Sequence, residues 1–232
     1  ALAGRVATPA AHAPAGRVDP KLTNVASLER DPAIFALYGD ALAGSVRAVL
    51  GDHDPPRKCQ VAVRFPDATG RAPLPVDGVR WHVDGWKNGD HSIFDLLVGV
   101  CLSDTPRDDE GNLAVHPGRH AKAMELAKSR ERLGGIRELH HKKHDMGPPT
   151  QLKLRVGDVV LAHQKLPHLG VANHGSLPRI MVYFRLTTRA VRYDQRNAQP
   201  SPFLDDLWLA FPPVRAAGLW TGPSTGGRTT GG

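Results

Sequence analysis

The triplet His82-Val83-Asp84 places an imidazole and a carboxylate two positions apart. On an extended strand, side chains two positions apart point to the same side, so one metal ion can contact both. Two imidazoles and one carboxylate form the ligand set that holds iron(II) on one face and leaves the opposite face open. The triplet therefore predicts two ligands of an iron site, and the third ligand must come from a distant segment.

Two histidines of one later segment are candidates for the third ligand. His168 lies near the predicted end of a strand and closer in sequence to Arg179, and it is the favoured ligand. His163 is the alternative ligand; if His168 binds the metal, His163 is instead a core histidine or a residue that supports a ligand.

Arg179 begins a strand-like segment, 179–186, whose two faces differ in polarity. The even positions are wholly apolar, whereas the odd positions carry Arg179, Met181, Tyr183 and Arg185. An apolar strand face packs on a core, so the mixed face meets water or a cavity. A guanidinium at the mouth of a cavity is suited to two-point binding of a carboxylate. We therefore expect Arg179 to bind an acid close to the metal.

Short strands make up most of the elements that must position these residues. Strands are predicted over 59–65, 79–84, 93–102, 111–116, 152–156, 159–163 and 179–187. Helices are predicted after Asp31-Pro32, after Asp40 and over 121–133. Because the strands do not alternate regularly with helices, the pattern indicates a closed or sandwich-like β architecture.

Composition and charge place only broad limits on function. The 232 residues suffice for one domain with a sizeable core, and 41% hydrophobic residues is ordinary for a globular protein. A net charge of +7 is compatible with an anionic small-molecule substrate. Nucleic acid is not expected as a partner, because no pattern of stacking aromatic residues interleaves with the basic ones. No apolar run is long enough to cross a bilayer.

The ends and the cysteines of the chain lead to three further expectations. We expect a flexible arm over 1–20, a single domain over 21–212 and a disordered tail over 213–232. The arm has the composition of a transit-peptide remnant or of a disordered leader, and we expect a cytoplasmic location. Cys59 and Cys101 both lie in apolar stretches, which predicts reduced buried thiols; a Cys59–Cys101 disulfide is the alternative.

Four sequence blocks, in order along the chain, resemble the signature of one enzyme family. The blocks lie at 81–85, 97–105, 111–120 and 157–179. The third block reads GNLAVHPGRH and is similar to the pattern G-x-L-x-x-x-P-G-S-H, with Arg119 in place of the usual serine. Together they resemble the phytanoyl-CoA dioxygenase-like family of iron(II)/2-oxoglutarate-dependent oxygenases.

This resemblance implies a mainly β fold with flanking helices, the double-stranded β-helix or cupin-like jelly roll, with its core over about 57–187. It implies iron(II) on His82, Asp84 and His168, and the distal carboxylate of 2-oxoglutarate on Arg179. The implied enzyme is a dioxygenase that consumes O2, hydroxylates a small organic substrate and releases succinate and CO2. The alternative is a non-catalytic jelly-roll protein that binds a small molecule in the same pocket.

Several other residues are weaker candidates for parts of the site. Gln60 lies opposite the apolar face of its strand and either contacts the cosubstrate or is an exposed strand amide. Trp86 and Arg119 are candidates for substrate contacts, Arg119 at the rim of the pocket. The histidine-rich stretch 140–144 is either a solvated loop or a second metal-binding run. Gly170 stands where relatives carry a hydroxyl residue that assists the cosubstrate carboxylate.

Overall fold

The computed structural model of the chain describes residues 23–67, 81–84, 94–130, 146–192, 194, 202–204 and 206–218. Within these residues the protein is mainly β, with two antiparallel sheets and a few helices. The strands are β1 Thr23–Asn24, β2 Cys59–Arg64, β3 Leu96–Cys101, β4 Leu113–Val115, β5 Thr150–Gln151, β6 Val159–His163, β7 His168–Gly170 and β8 Arg179–Leu186. The α-helices are α1 Pro32–Phe35, α2 Asp40–Leu50, α3 His120–Arg130 and α4 Pro212–Ala216, and 3-10 turns cover Ala26–Leu28 and Pro202–Leu204.

The larger sheet has five strands in the order β1-β2-β8-β3-β6, so the last strand along the chain lies at its centre. Strand β8 pairs with β2 on one side and with β3 on the other. In the β2–β8 register Arg64 lies opposite Arg179, and Gln60 lies opposite Tyr183. The centre of this sheet therefore carries polar side chains from two adjacent strands on one face.

The smaller sheet has three strands in the order β5-β4-β7. An isolated antiparallel bridge between His82 and His168 attaches the H-x-D segment to the outer side of β7. Strands β7 and β8 are consecutive in the chain, yet β7 belongs to this sheet and β8 to the larger one. His168 on β7 and Arg179 on β8 therefore lie in two different sheets.

The main hydrophobic core lies between one face of the larger sheet and the helices. Val182, Phe184 and Leu186, three of the four even positions of β8, are buried there with Ile34 of α1 and Leu50 of α2. The opposite face of β8 carries Arg179, Met181, Tyr183 and Arg185, as the alternation predicts.

Local sequence explains where the first helices begin and end. The Asp31 side chain accepts a hydrogen bond of 2.8 Å from the Ala33 amide, and Pro32 occupies the first turn of α1. Gly51 ends α2 with φ of +76°, a conformation that a residue without Cβ adopts readily. The sequence predicts Asp40 as the N-cap of α2. In the structure Asp40 is the first residue of the helix, and Gly39 is the cap.

Most predicted strands agree with the structure to within a few residues, and one does not. The predicted strand 152–156 is wrong: the strand is β5, and Leu154 makes only an isolated bridge with Thr105. Of the predicted strand 79–84, only residues 81–84 are described. The segment from residue 213, assigned from sequence to a tail, begins inside α4, and residues 1–20 and 219–232 lie outside the described residues.

Both cysteines are buried free thiols, as predicted. Cys59 lies on β2 and Cys101 on β3, and β8 separates these two strands, so the alternative of a disulfide is wrong. In the part of the chain that the structure describes, no helix is long and apolar enough to cross a membrane.

Candidate metal centre

His82, Asp84 and His168 come together at the edge of the smaller sheet. One possible ligand atom from each residue lies within 4.8 Å of the other two. His82 Nε2 lies 3.9 Å from Asp84 Oδ1, and His168 Nε2 lies 3.8 Å from Asp84 Oδ2. The two imidazole centroids are 4.4 Å apart. Two nitrogen donors and one carboxylate thus face a common point, the arrangement that a single transition-metal ion requires.

Backbone pairing brings the H-x-D segment to this position. The His82 and His168 amides each donate to the carbonyl of the other residue, over 3.2 and 2.9 Å. The Asp84 amide donates to Gln164 O at 2.9 Å, and Lys165 Nζ donates to Asp84 O at 3.1 Å. Asp84 is therefore held at both its N–H and its C=O, which leaves its side chain directed at the two imidazoles.

The orientation of the His168 ring is fixed by its other nitrogen. His168 Nδ1 lies 2.9 Å from Leu166 O, and a carbonyl oxygen can only accept a hydrogen bond. Nδ1 therefore carries a proton, and in the neutral ring the lone pair is on Nε2, the nitrogen that faces Asp84. This is the tautomer that a metal-binding histidine needs.

His163 lies away from this group, in a buried aromatic cluster with Trp208 and Phe211. Its Nε2 donates to Leu207 O at 2.9 Å, and its Nδ1 accepts from the Lys165 amide at 2.9 Å. Burial lowers the pKa of the imidazole to about 3, so the ring is neutral. Both ring nitrogens are occupied, so the structure brings His168, and not His163, to the triplet.

The three residues open into a cavity of about 90 Å³ between the two sheets. Its described lining residues are Gln60, Arg64, His82, Asp84, Leu97, Leu113, His168, Gly170, Arg179, Tyr183 and Arg185. They include three arginines and a single carboxylate. The cavity is therefore positively charged and favours an anionic ligand.

Arg179 forms part of the wall of this cavity and is itself buried. Its Nε donates to Gly111 O at 2.5 Å, whereas its Nη1 is buried and has no hydrogen-bond partner among the residues that the structure describes. A buried guanidinium N–H without an acceptor is costly, and an acceptor in the cavity removes that cost. The position and the open donor agree with the expected carboxylate anchor.

Arg185 and Gln60 lie beside the predicted metal ligands. Arg185 Nη2 lies 3.8 Å from Asp84 Oδ2 and donates to Gln60 Oε1 at 2.8 Å. Gln60 Nε2 in turn donates to Asn24 Oδ1 at 2.7 Å. Gln60 is thus in the cavity wall, and its amide orients Arg185.

The weaker candidates have different outcomes. Arg119 is exposed, with its guanidinium next to Gly147, and it is absent from the described lining of the cavity. The structure therefore does not bring Arg119 to the predicted rim. Trp86 and the histidine-rich stretch 140–144 lie outside the described residues.

Sequence reasoning gave no role to two of the three arginines that line the cavity, Arg64 and Arg185. The signal for both was present, because Arg64 lies four positions after Gln60, on the same face of β2, and Arg185 lies on the mixed face of β8. Neither arginine belongs to a recognisable motif, so only the alternation of side chains along each strand predicts that it faces the cavity.

No protein-family model and no curated protein sequence matches this chain. Among solved structures, it is similar to the non-heme alpha ketoglutarate dependent epimerase SnoN from nogalamycin biosynthesis, with 20% identity, a TM-score of 0.51 and coverage of 80% of this chain and 66% of that one. It is similar to HygX from Streptomyces hygroscopicus, with nickel, 2-oxoglutarate and hygromycin B bound, at 19% identity and a TM-score of 0.49, over 72% of this chain and 74% of HygX.

Two other similar structures are matched over less than two thirds of their own length. The chain spans 32% of the length of EvdMO1 and 61% of the length of AviO1 from Streptomyces viridochromogenes Tue57, at 21% and 22% identity and TM-scores of 0.47 and 0.44. At such identities the similarity concerns the fold alone. The chain thus shares its fold with an enzyme described as non-heme and alpha ketoglutarate dependent.

Proposed function

We propose that this protein is an iron(II)/2-oxoglutarate-dependent dioxygenase of the phytanoyl-CoA dioxygenase-like family, with a double-stranded β-helix fold. The observation that carries the proposal is the convergence of His82, Asp84 and His168 with the buried Arg179 on one cavity. The fold similarity to SnoN supports the same class.

The donor set fits a single transition-metal ion. Protein nitrogen and oxygen ligands lie about 2.1 Å from such an ion, so two of them are at most about 4.2 Å apart. Each imidazole Nε2 lies within this limit of one oxygen of Asp84: His82 lies 3.9 Å from Oδ1, and His168 lies 3.8 Å from Oδ2. His82, Asp84 and His168 would hold iron(II) and leave its other face to the cavity. When bound, the metal supplies activation of O2 coupled to decarboxylation of 2-oxoglutarate to succinate and CO2.

The protein's own contribution is to bind and orient the acid. Arg179 Nη1 offers a buried donor on the cavity wall, and the positive lining stabilises a dianion. Leu97 and Leu113 contribute apolar surface to the same cavity, which suits the methylene groups of 2-oxoglutarate. An acid with carboxylates at both ends therefore matches the site better than a neutral ligand.

The substrate side of the site is a second, larger cavity of about 710 Å³. It shares Gln60 and Arg185 with the first cavity and is also lined by Phe94, Lys58 and Arg57. Arg185 lies over the Phe94 ring, 5.5 Å from its centroid, and so stands between the two cavities. We place a small organic substrate here, with an anionic group facing Arg185, and hydroxylation as the reaction.

The test is an anaerobic titration of the purified protein with iron(II) and 2-oxoglutarate. A weak visible charge-transfer band of the chelated 2-oxo acid is expected in the wild type and is expected to be lost in His168→Ala. His163→Gln, which leaves the triplet intact, should retain the band. Absence of the band from the folded wild type would reject the proposal.

Activity provides the second readout. Asp84→Ala removes the only carboxylate among the described lining residues and should abolish iron-dependent succinate formation in air. Unchanged succinate formation in this variant would contradict the assignment. A band without any succinate formation, with a range of small organic compounds added, would instead favour the non-catalytic binding protein.

A further inference from the structure

Gly170 separates the backbone of β7 from two guanidinium groups. A Cβ atom added at position 170 would lie 2.7 Å from Arg64 Nε, 2.8 Å from Arg64 Nη2 and 3.0 Å from Arg179 Nη2. Distances of this size are below normal van der Waals contact. Two guanidinium groups therefore converge on one small region of the cavity wall, and only glycine leaves room for both.

The convergence is built into the larger sheet. Arg64 and Arg179 are paired across β2 and β8, with both side chains on the cavity face. Below them, Gly111 lies against both side-chain stems: a Cβ there would be 3.0 Å from Arg179 Cβ and 3.4 Å from Arg64 Cβ. Asn173 Nδ2 donates to Arg64 O at 2.9 Å and holds the end of β2 in place.

Two adjacent guanidinium groups concentrate positive charge in one part of the cavity wall, and arginine does not lose its proton. Asp84, the single carboxylate among the described lining residues, faces the imidazoles and Arg185 instead. An anion between Arg64 and Arg179 would provide an acceptor for Arg179 Nη1.

We propose that Arg64 and Arg179 jointly bind the distal carboxylate of 2-oxoglutarate, and that Gly170 is required because it leaves space for this pair. The inference rests on the proposed function and assigns the cosubstrate specificity of the same site. Arg179 alone would fix one end of the acid; the pair makes the distal carboxylate a strict requirement.

The test compares two 2-oxo acids that differ only at the far end. 2-Oxopentanoate has the chain length of 2-oxoglutarate but ends in a methyl group, so Arg64 can affect its binding only indirectly. Dissociation constants of both acids are measured from the anaerobic iron(II) charge-transfer band with the full chain. Arg64→Met should raise the dissociation constant of 2-oxoglutarate roughly tenfold to a hundredfold, the range for the loss of one charge-assisted hydrogen bond. Binding of 2-oxopentanoate should be unchanged.

Gly170→Ala tests the same idea without removing a charge. The atoms it displaces are the ends of flexible side chains, so we expect weaker 2-oxoglutarate binding with an unchanged or higher melting temperature. Arg155→Met, at an exposed arginine outside the cavity, is the matched control and should leave both constants unchanged. If Arg64→Met does not fold, Arg64→Lys replaces it, with a smaller loss expected because lysine lacks the two-point fork.

The possible failures are distinguishable. Absence of the band with either acid in the wild type rejects the proposed function and this inference with it. A band in the wild type, combined with equal effects of Arg64→Met on both acids or no effect on either, overturns the inference alone. The same holds if wild-type protein binds 2-oxopentanoate as tightly as 2-oxoglutarate.

Discussion

The side chains of the candidate metal centre are directed by contacts on the side away from the cavity. His168 is oriented through Leu166 O, and Asp84 through hydrogen bonds at its own amide and carbonyl. Lys165, a buried lysine, donates to that carbonyl. Loss of a contact that holds a ligand residue in place commonly lowers metal affinity tenfold or more.

Lys165→Met removes the donor to Asp84 O and keeps much of the apolar stem. We expect about tenfold weaker metal binding, since Asp84 is then held at one end only. Metal titration followed by isothermal calorimetry measures the change. Lys153→Met, at an exposed lysine paired with Asp108, is the control and should bind metal normally. Equal affinities in the wild type and Lys165→Met would contradict the role given to Lys165.

His163 predicts how stability depends on pH. Its folded pKa of about 3 lies below the unfolded value of about 6.5, so the unfolded chain binds the proton first. The contribution of His163 is complete above about pH 6.5 and decreases as the pH falls towards 3, by up to about 1.4 kcal/mol per pH unit. The positive charge of Lys165, and that of His120 when it is protonated, lowers the pKa of His163 in the same direction as burial.

Urea denaturation at pH 7, 6 and 5 checks this expectation. The free energy of unfolding of the wild type should fall more steeply with decreasing pH than that of His163→Gln, which has no titrating ring. Parallel pH profiles for the two proteins would show that His163 is not neutral and buried.

At the scale of elements, the turn before β4 helps to fix the position of Arg179. Gly111 precedes β4 with φ of +79°, and its carbonyl accepts from Arg179 Nε. Any other residue at position 111 would be strained by this backbone conformation. Its Cβ would also be in close contact with the Cβ atoms of Arg179 and Arg64. Gly118 shares the conformation, with φ of +71°, but has open space around it.

Gly111→Ala and Gly118→Ala therefore form a matched pair. Gly118→Ala should cost about 1–2 kcal/mol, from the left-handed backbone alone. Gly111→Ala should cost more than this, because the alanine methyl group also crowds Arg179 and Asn173. The free energy of unfolding from urea titration gives both values. A smaller loss at Gly111 than at Gly118 would be inconsistent with the contacts described.

Predictability from sequence differs between elements for a physical reason. The alternation along β8 correctly predicts its buried and cavity-facing sides, because the period of two is a property of any extended strand. The bridge between His82 and His168 and the sheet to which β7 belongs depend on pairing between distant segments, which local sequence does not encode.

The candidate site shows the same division. The metal ligands, the H-x-D triplet and one distant histidine, can be predicted from sequence because few residue types bind a transition metal. The residue type of Arg64 does not predict a role in the site, since an arginine at a strand end is more often exposed to solvent. Only its register opposite Arg179 identifies it as part of the cavity.

At the scale of the whole molecule, the larger sheet keeps the two thiols apart. Burial raises the pKa of both Cys59 and Cys101, so neither forms the reactive thiolate readily. We expect little alkylation by iodoacetamide at pH 8 in the native protein. In urea without reductant both should be alkylated, as intact mass would show. Unmodified cysteines in urea would instead indicate a disulfide.

Strands β7 and β8 follow one another in the chain but belong to different sheets, so His168 and Arg179 face the cavity from opposite walls. A small molecule held at one end by the metal centre and at the other by Arg179 would therefore act as a non-covalent cross-link between the sheets. Its binding energy would oppose their separation. Amide hydrogen exchange in both strands should then slow together, although no hydrogen bond joins them directly.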